Sequence, residues 1–336
     1  MWDCLYSMSI LHVDRAGAAL ADGYYSVYRA AHEIDDPGPL SSSRFFRIWA
    51  LIGWEDNAEA YVHVRDGVVT GGYTLELPER DNAHLALIPK LVVAPESRRQ
   101  GIGSALLAHA VERARAAGRR TLVAEAAAVG GPGATFAQAH GYTAATTEVR
   151  QVLDLRTADR AAFEGARDLA ARQADGYELE AWRGTAPERL HADLALLHAG
   201  MNDAPTGGLD IEDEVWDAAR TGERELRLHE AGANGRAIIA RHTATGAPAA
   251  LTRVFFDDDG ADGWGRQSDT VVLRPHRGHR LGMLLKTTNA LTLLDEEPAV
   301  HRVITWNAAS NTHMRAINDL LGFRPLDTWH EWQKAI

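Results

Sequence analysis

The sequence predicts an α/β protein made of two similar domains. Its 336 residues suit two globular domains of ordinary size better than one. Short apolar segments with strand-like patterns precede segments whose apolar residues recur at helical spacing, which is the order expected of α/β folds. This order occurs twice, and Gly103 superposes on Gly282 at an offset of 179 residues. The chain is therefore predicted to be a duplicated domain.

The first half contains a predicted hairpin, two strands and two helices. The hairpin turns at Arg65-Asp66-Gly67, because an Asp-Gly pair between β-rich segments favours a tight turn. The longer helix is expected to stop at Gly118. In order, the predicted elements are the hairpin at 58–75, a strand at 86–93, a helix at 104–117, a strand at 121–126 and a helix at 134–140.

The second half repeats this order of strands and helices. The predicted strands are 236–240, 249–256, 270–273 and 303–307, and the predicted helices are 282–294 and 311–321. An Ala/Arg-rich helix at 159–174 indicates a packed connector rather than a flexible linker. We therefore expect an N-terminal domain at 1–156 and a C-terminal domain at 157–336.

Composition excludes several classes of function. The formal net charge of −11 argues against a protein that collects nucleic acid or anionic membrane surfaces. Cys4 is the single cysteine, so no internal disulfide can form, and a reducing cytoplasm is the expected location. The fifteen histidines lack the spacing of a zinc site, and no metal is predicted. No signal peptide or membrane-spanning segment is recognised.

An arginine- and glycine-rich loop links the strand at 86–93 to the helix that follows. Glycines at this junction between strand and helix let backbone N–H groups approach a ligand, and the helix N-terminus favours an anion. Arginine side chains add charge-assisted hydrogen bonds to phosphate. The residues in question are Arg98, Arg99, Gln100, Gly101, Gly103 and Ser104. The loop therefore predicts a phosphate site.

This loop resembles the acyl-CoA loop of the GNAT acetyltransferase family, whose pattern is V-x-P-x-x-R-x-x-G-x-G/A. The matching segment is Val93-Ala94-Pro95-Glu96-Ser97-Arg98-Arg99-Gln100-Gly101-Ile102-Gly103. The resemblance implies, for each domain, a mixed, mostly antiparallel sheet with flanking helices and a splayed central strand. It also implies that Leu91 and Val93 offer backbone groups to a pantetheine arm. The amides from Arg99 to Ser104 would then hold the diphosphate of acetyl-CoA or another acyl-CoA, which acts as a substrate.

The second half carries a related loop. Leu273 precedes it, and the residues implied to bind the diphosphate are Arg277, Gly278, His279, Arg280 and Gly282. Arg280 replaces the first glycine of the family pattern, which weakens the expectation of phosphate binding without excluding it. Asn311 resembles the family's helix-leading asparagine and is implied to contact pantetheine. The layout resembles tandem GNAT proteins, including the mycothiol synthase group.

Catalytic candidates come from both halves of the chain. Asp269, beside the splayed strand, and Asp203, in the loop after residue 200, are candidate general bases. In many family members a tyrosine protonates the leaving thiolate, and it lies four residues before the glycine that ends the last helix of the domain. This chain has Ala137 and Asn318 at that position. Asn318 is therefore the candidate at the acid position. Glu125 and His84 are comparable base candidates in the first half, but the presence of Asn311 favours catalysis in the second.

The leading hypothesis is an acyl-CoA-dependent N-acyltransferase that acts on a primary amine of a small molecule. One alternative takes the acyl group from the phosphopantetheine of an acyl carrier protein. Another is a CoA-binding protein without catalytic activity. A dinucleotide site built on Gly101-x-Gly103 and Glu125 is disfavoured, because the third glycine of that motif is missing.

Overall fold

The computed structural model describes residues 9–15, 17–127, 130–257 and 262–336. Cys4 lies outside the described residues. The chain forms two compact units: unit 1 is Met1–Thr146, Gly208–Glu212 and Trp329–Ile336, and unit 2 is Thr147–Gly207 and Asp213–Thr328. Neither unit is one continuous segment, because Gly208–Glu212 and Trp329–Ile336 belong to unit 1. The boundary expected between residues 156 and 157 stays a prediction.

Unit 1 is built on a six-stranded sheet in the order β1-β2-β3-β4-β5-β12. The strands are β1 Ser9–His12, β2 Ala58–Arg65, β3 Val68–Glu76, β4 Leu85–Val93, β5 Thr121–Ala127 and β12 Arg324–Ala335. Neighbouring strands are antiparallel except for β4 and β5. Residues 329–335 of β12 pair with β5, so the last strand of the chain completes the sheet of unit 1.

The helices of unit 1 cover both faces of its sheet. They are α1 Ala18–Asp35, α2 Ser43–Leu51, α3 Ile102–Ala116 and α4 Pro132–Ala139. Tyr24 and Phe46, from α1 and α2, pack with Val62 on one face. Leu106 of α3 packs with Tyr73 on the other. Side chains of one strand alternate between faces, so Thr74 and Glu76 lie on the side that α1 and α2 cover.

Unit 2 repeats the strand order with its own strands, β7-β8-β9-β10-β11-β6. They are β6 Thr143–Asp154, β7 Tyr177–Arg183, β8 Ala233–His242, β9 Pro248–Asp257, β10 Trp264–Val272 and β11 Arg302–Ala308. The helices are α5 Arg160–Ala171, α6 His191–Ala199, α7 Ala218–Glu230, α8 Leu281–Glu296 and α9 Thr312–Leu320. Only the β10–β11 pair is parallel in this sheet, as β4–β5 is in unit 1.

The central strands of both units splay apart from their parallel neighbours. β4 pairs with β5 only from Leu85–Ile88 opposite Thr121–Ala124, although β4 continues to Val93. β10 pairs with β11 only from Trp264 to Arg266, although β10 continues to Val272. Both strands also show a register shift against their antiparallel neighbours, which is the mark of a β-bulge. The expected splayed strand is thus present twice.

Most predicted elements occur close to their predicted bounds. The hairpin turns at Asp66 and Gly67, with φ of 53° and 79°, which is the left-handed pair that a two-residue hairpin needs. Helices α1, α2, α6 and α7 and strands β1, β6, β7 and β12 were not among the predicted elements. No described helix is long and apolar enough to cross a bilayer.

Candidate functional site

The loop after β4 presents a turned backbone and an open helix start. Arg99 and Gly101 adopt positive φ of 62° and 83°, and α3 begins at Ile102 with no side-chain cap. A Cβ built on Gly101 meets no atom within 4 Å, so the space in front of this turn is open. Successive peptide units that turn in this way form a concave group of N–H donors that suits an anion.

The loop after β10 has the same backbone with the residue types exchanged. Gly278 and Arg280 have positive φ of 90° and 53°, at the positions that Arg99 and Gly101 hold in unit 1. Each loop therefore places one glycine and one arginine in the left-handed region, in opposite order. The substitution of Arg280 for glycine, which weakened the sequence-based expectation, leaves the turn geometry intact.

Each loop is tied to its own strand by an arginine. The Nε of Arg98 donates to the carbonyl oxygen of Val93 at 3.3 Å, and the Nε of Arg277 donates to that of Val272 at 3.1 Å. A carboxylate holds each guanidinium from outside: Asp35 accepts from Arg98 at 3.1 and 2.5 Å, and Asp203 accepts from Arg277 at 2.8 Å. These contacts fix the curvature of both loops before any ligand is present.

The backbone amides at the two turns are not used by the protein. The N–H groups of Arg99 through Ser104 have no acceptor among the described residues, and the first internal bond comes from Ala105 to the carbonyl of Gly101 at 3.0 Å. In unit 2 the matching bond joins Leu284 to Arg280 at 3.0 Å. These unused donors, together with the positive end of the helix, can hold a diphosphate.

The remaining predicted loop residues take varied positions. The side chain of Gln100 lies between Arg65 and the carbonyl of Glu96, and Ser104 Oγ lies 3.1 Å from His140 Nε2. Gly103 and Gly282 pack near valines of the preceding strands, at 3.7 and 3.8 Å from a built Cβ. The ring of His279 lies 5.3 Å from that of Tyr177. Their roles toward a ligand stay predictions.

The predicted pantetheine contacts also stay predictions. Leu91 and Val93 lie on the part of β4 beyond the splay and pair with β3 on its other edge. The amide of Leu273 donates to Ala249 at 2.9 Å. Asn311 caps α9, where its Oδ1 accepts from the amide of Met314 at 3.2 Å.

Asp203 is bound to the arginines of the second loop. Arg274 and Arg277 both donate to its carboxylate. The hydrogen bond from Arg274, together with the charges of both arginines, holds the pKa of Asp203 below its ordinary value. A carboxylate in this setting is a poor proton acceptor, so the geometry favours a positioning role for Asp203 over the predicted role as a base.

Asp269 lies at the bulge of β10 and forms a pair with His198 of α6. Its Oδ2 is 3.0 Å from Nδ1 of His198, and the imidazole packs on Trp216 with ring centroids 4.7 Å apart. Burial acts to raise the pKa of Asp269, but the hydrogen bond from His198 and the charge of Arg224 outweigh it, and the pKa lies well below the usual range. Asp269 is thus an ionised carboxylate that orients an imidazole.

His198 is a functional candidate that sequence reasoning missed. Its side chain is only 6% exposed, and no second hydrogen-bond partner is found for it in the described part of the chain. An imidazole whose Nδ1 is held by a carboxylate presents Nε2 as a proton acceptor. The only signal was a histidine in an apolar segment, which far more often marks an ordinary buried histidine.

Asn318, at the predicted acid position, is fully buried. Its Oδ1 accepts from Lys286 Nζ at 2.7 Å, and its Nδ2 donates to Gln151 at 3.2 Å. Burial lowers the pKa of Lys286 to about 7. An amide cannot supply a proton at neutral pH. Asn318 therefore holds a buried amine, and its catalytic role is not supported by this geometry.

Lys90 flanks the bulge of β4 and corresponds, at the offset of 179 residues, to Asp269 in β10. The ammonium group of Lys90 lies 5.5 Å from the ring of Tyr28 and 5.3 Å from that of Trp49. On the parallel neighbour, matching registers place Glu125 of β5 and Trp306 of β11 at equivalent positions. The loops of the two units are alike, whereas the sheet faces beside them differ in charge.

A cavity of about 500 Å³ lies elsewhere in unit 2, lined by residues of β6, α5 and the turn after α9. None of its lining residues comes from the loop, from β10 or from α6. Its position does not connect it with the acyl-transfer candidates.

Comparison with known proteins identifies the fold and finds a family match within the first half of the chain. Residues 24–142 match the Acetyltransferase (GNAT) family. The structure is similar to a tandem GNAT protein from the clavulanic acid biosynthesis pathway, with a TM-score of 0.80, 28% identity and 98% of each chain covered. A GCN5-related N-acetyltransferase from Sphaerobacter thermophilus has a TM-score of 0.63 at 16% identity, with 98% of this chain and 95% of that chain covered. No curated protein sequence matches the chain.

A putative acetyltransferase from Pyrococcus horikoshii shares the fold, with a TM-score of 0.60, 13% identity, and 100% of this chain and 92% of that chain covered. The family match and the full-length structural similarity agree with the twofold splay and the twofold loop. Residues 24–142 thus match the GNAT family, and the whole chain has the fold of a tandem GNAT protein.

Proposed function

We propose that this tandem GNAT protein is an N-acyltransferase that moves an acyl group, acetyl in the simplest case, from acyl-CoA to a primary amine of a small molecule. The observation that carries the proposal is the pair of unused amide clusters at the turns after the two splayed strands. Such clusters match a diphosphate in charge, and the gap beside each splayed strand leaves an edge for a pantetheine arm. Acyl-CoA would supply the activated thioester.

The residues around the loops fit a diphosphate without rearrangement. A ligand at Gly101 meets open space, and a ligand at Gly278 does as well, since a built Cβ at either position contacts nothing within 4 Å. Arg98 and Arg277 hold the loops to their strands, while the backbone of Arg99 through Ser104 supplies donors. The fit rests on backbone shape, so it extends to the second loop despite Arg280.

In unit 2, we assign the base role to the His198–Asp269 pair. An amine must lose a proton before its nitrogen can attack a carbonyl carbon, and an imidazole is suited to accept that proton near neutral pH. Asp269 keeps the imidazole in one orientation and stabilises its charged form. This assignment retains Asp269 from the sequence-based candidates and replaces direct proton transfer to it with transfer to His198.

Two measurements test the proposal. Calorimetry with CoA and acetyl-CoA should show association at one or two sites, and incubation of acetyl-CoA with a panel of small amines should release free thiol. Binding without thiol release for any amine or acyl donor would favour a non-catalytic CoA-binding protein. Absence of binding to every pantetheine thioester would refute the proposal outright.

A further inference from the structure

The face of the unit 1 sheet that α1 and α2 cover carries several carboxylates. Glu76 ends β3 on the side covered by α1 and α2, and Thr74 two residues earlier contacts Ala50 of α2 from that side. On β5, Leu122, Ala124 and Ala126 pack toward α3. Glu125 alternates with them and lies on the same face as Glu76. Glu331 of β12 stands opposite Glu125 in the register and shares that face.

Glu76 has an oxygen that nothing in the protein uses. Its Oε1 is shielded from solvent and has no hydrogen-bond partner among the described residues. Burial, reinforced by the negative charges of Glu125 and Glu55, raises the pKa of Glu76 to about 7. A carboxylate oxygen that is shielded from water without a donor is costly, and it is retained most readily where a ligand supplies the missing donor.

The positive groups near this face are already engaged. Lys90, on the same face of β4, is held over the rings of Tyr28 and Trp49. His84 lies against the carboxylate of Asp210, at 3.4 Å, in the segment Gly208–Glu212 that belongs to unit 1. The charges that act on Glu76 are therefore mainly negative, and a cation is the ligand that they favour.

We propose that this face of unit 1 binds an acceptor with two amino groups, and that Glu76 takes the proton from the amine that reacts while Glu125 and Glu331 attract the second ammonium group. The inference deepens the proposed function and rests on it, since it names the class of acceptor and the unit that receives it. A diamine would bridge the buried oxygen of Glu76 and the more exposed carboxylate of Glu125.

The proton and bond balance of the step is complete with acyl-CoA as co-reactant. The ammonium form of the acceptor transfers one proton to the carboxylate of Glu76, which gives a neutral amine and a carboxylic acid. The amine nitrogen then bonds to the acyl carbon and the C–S bond breaks. A further proton on the same attacking nitrogen passes to the leaving sulfur, so that the products are an amide and CoA thiol. Glu76 returns its proton to solvent.

The test uses the full-length protein and 1,4-diaminobutane as the probe, with n-butylamine and 1-butanol for comparison. Calorimetric titrations at pH 8, with and without CoA, should show the diamine binding more tightly than the monoamine, and the alcohol not at all. Glu76→Gln should weaken diamine binding about tenfold or more, because a charge-assisted hydrogen bond is lost. Glu112→Gln is the matched control, since Glu112 is exposed on α3 across the sheet.

The outcomes separate the two proposals. If Glu76→Gln still binds CoA as the unmodified protein does but loses the diamine, the site is supported and the variant is shown to be folded. Diamine affinity that is equal in both variants, or that is lost in Asp269→Asn of unit 2 instead, would overturn the site in unit 1. Failure of CoA binding with intact diamine binding would instead refute the acyl-CoA proposal and leave the cation site standing.

Discussion

The loops after β4 and β10 differ in sequence at both positions where the backbone turns left-handed, yet they follow the same path. Arg99 and Gly101 in one loop correspond to Gly278 and Arg280 in the other, and all four have positive φ. The sheets of the two units, in contrast, differ in the charge of their side chains. Lys90 in unit 1 corresponds to Asp269 in unit 2, and Glu125 corresponds to Trp306. Main-chain binding tolerates a change of side chain, whereas an acceptor face is defined by its side chains.

This contrast suggests different tasks for the two units. Unit 1 presents a carboxylate with one unpaired oxygen among other carboxylates, and unit 2 presents an imidazole that a carboxylate orients, close to Arg224. A common donor would fit both loops, because both rely on amides at a turn. The acceptors that fit the two faces would differ in charge.

The largest effect that bears on this comparison is expected at His198. His198→Gln should lower the turnover number of any acyl transfer in unit 2 by about 100-fold, since loss of a general base commonly costs at least that factor. CoA affinity should not change, because His198 lies away from the loop. Turnover and CoA binding are measured on the same preparation.

His301→Gln supplies the control for that experiment, because His301 is exposed in the same unit. Full turnover in His198→Gln, together with loss of turnover in Glu76→Gln, would show that catalysis takes place only in unit 1. The His198–Asp269 pair would then have a structural role.

A smaller effect is expected from the buried amine of unit 2. Leu107 of α3 holds the place in unit 1 that Lys286 holds on α8, and both are buried. Burial lowers the pKa of Lys286 to about 7, so between about pH 7 and 10 the unfolded chain binds a proton that the native state does not. The free energy of unfolding should therefore rise with pH in this window, by roughly 1 kcal/mol per pH unit from this group.

Lys286→Met should flatten that rise, and urea unfolding at pH 7.5 and 9 would measure it. Lys90→Met, in unit 1, is the control for loss of a lysine, because Lys90 is partly exposed and lies over aromatic rings. An equal rise in Lys286→Met and the unmodified protein would show that Lys286 is charged in the folded state.

The smallest effect concerns the two exchanged loop residues. Gly101→Arg should cost about 1 kcal/mol of stability, because an L side chain in the left-handed region is strained even where space is open. Arg280→Gly should gain about 0.5 kcal/mol, since relief of strain exceeds the extra entropy of an unfolded glycine.

Both loop variants should retain CoA binding, because the amides remain in place, and calorimetry checks this. Loss of binding in Arg280→Gly alone would mean that the guanidinium, rather than the backbone, holds the ligand in unit 2. In that case the two loops would bind by different means.

Short-range patterns in the sequence determined the duplicated α/β order, the hairpin turn at Asp66-Gly67 and the positions of the two loops that follow the splayed strands. They did so because turn residues, strand alternation and helix starts depend on neighbours along the chain. Asp269 was also recognised, since it stands next to a predicted strand. Its chemical role was not, because that role depends on a partner 71 residues away in the sequence, His198.

Only the tertiary structure decided which residues meet. Residues 329–335 complete the sheet of unit 1, Asp203 accepts hydrogen bonds from the loop arginines, and Asn318 accepts one from a buried lysine. The unpaired oxygen of Glu76 is likewise invisible in sequence, because a strand-end glutamate is ordinarily solvated. Burial and the proximity of other charges are properties of packed elements, and they set the pKa values on which any base chemistry here depends.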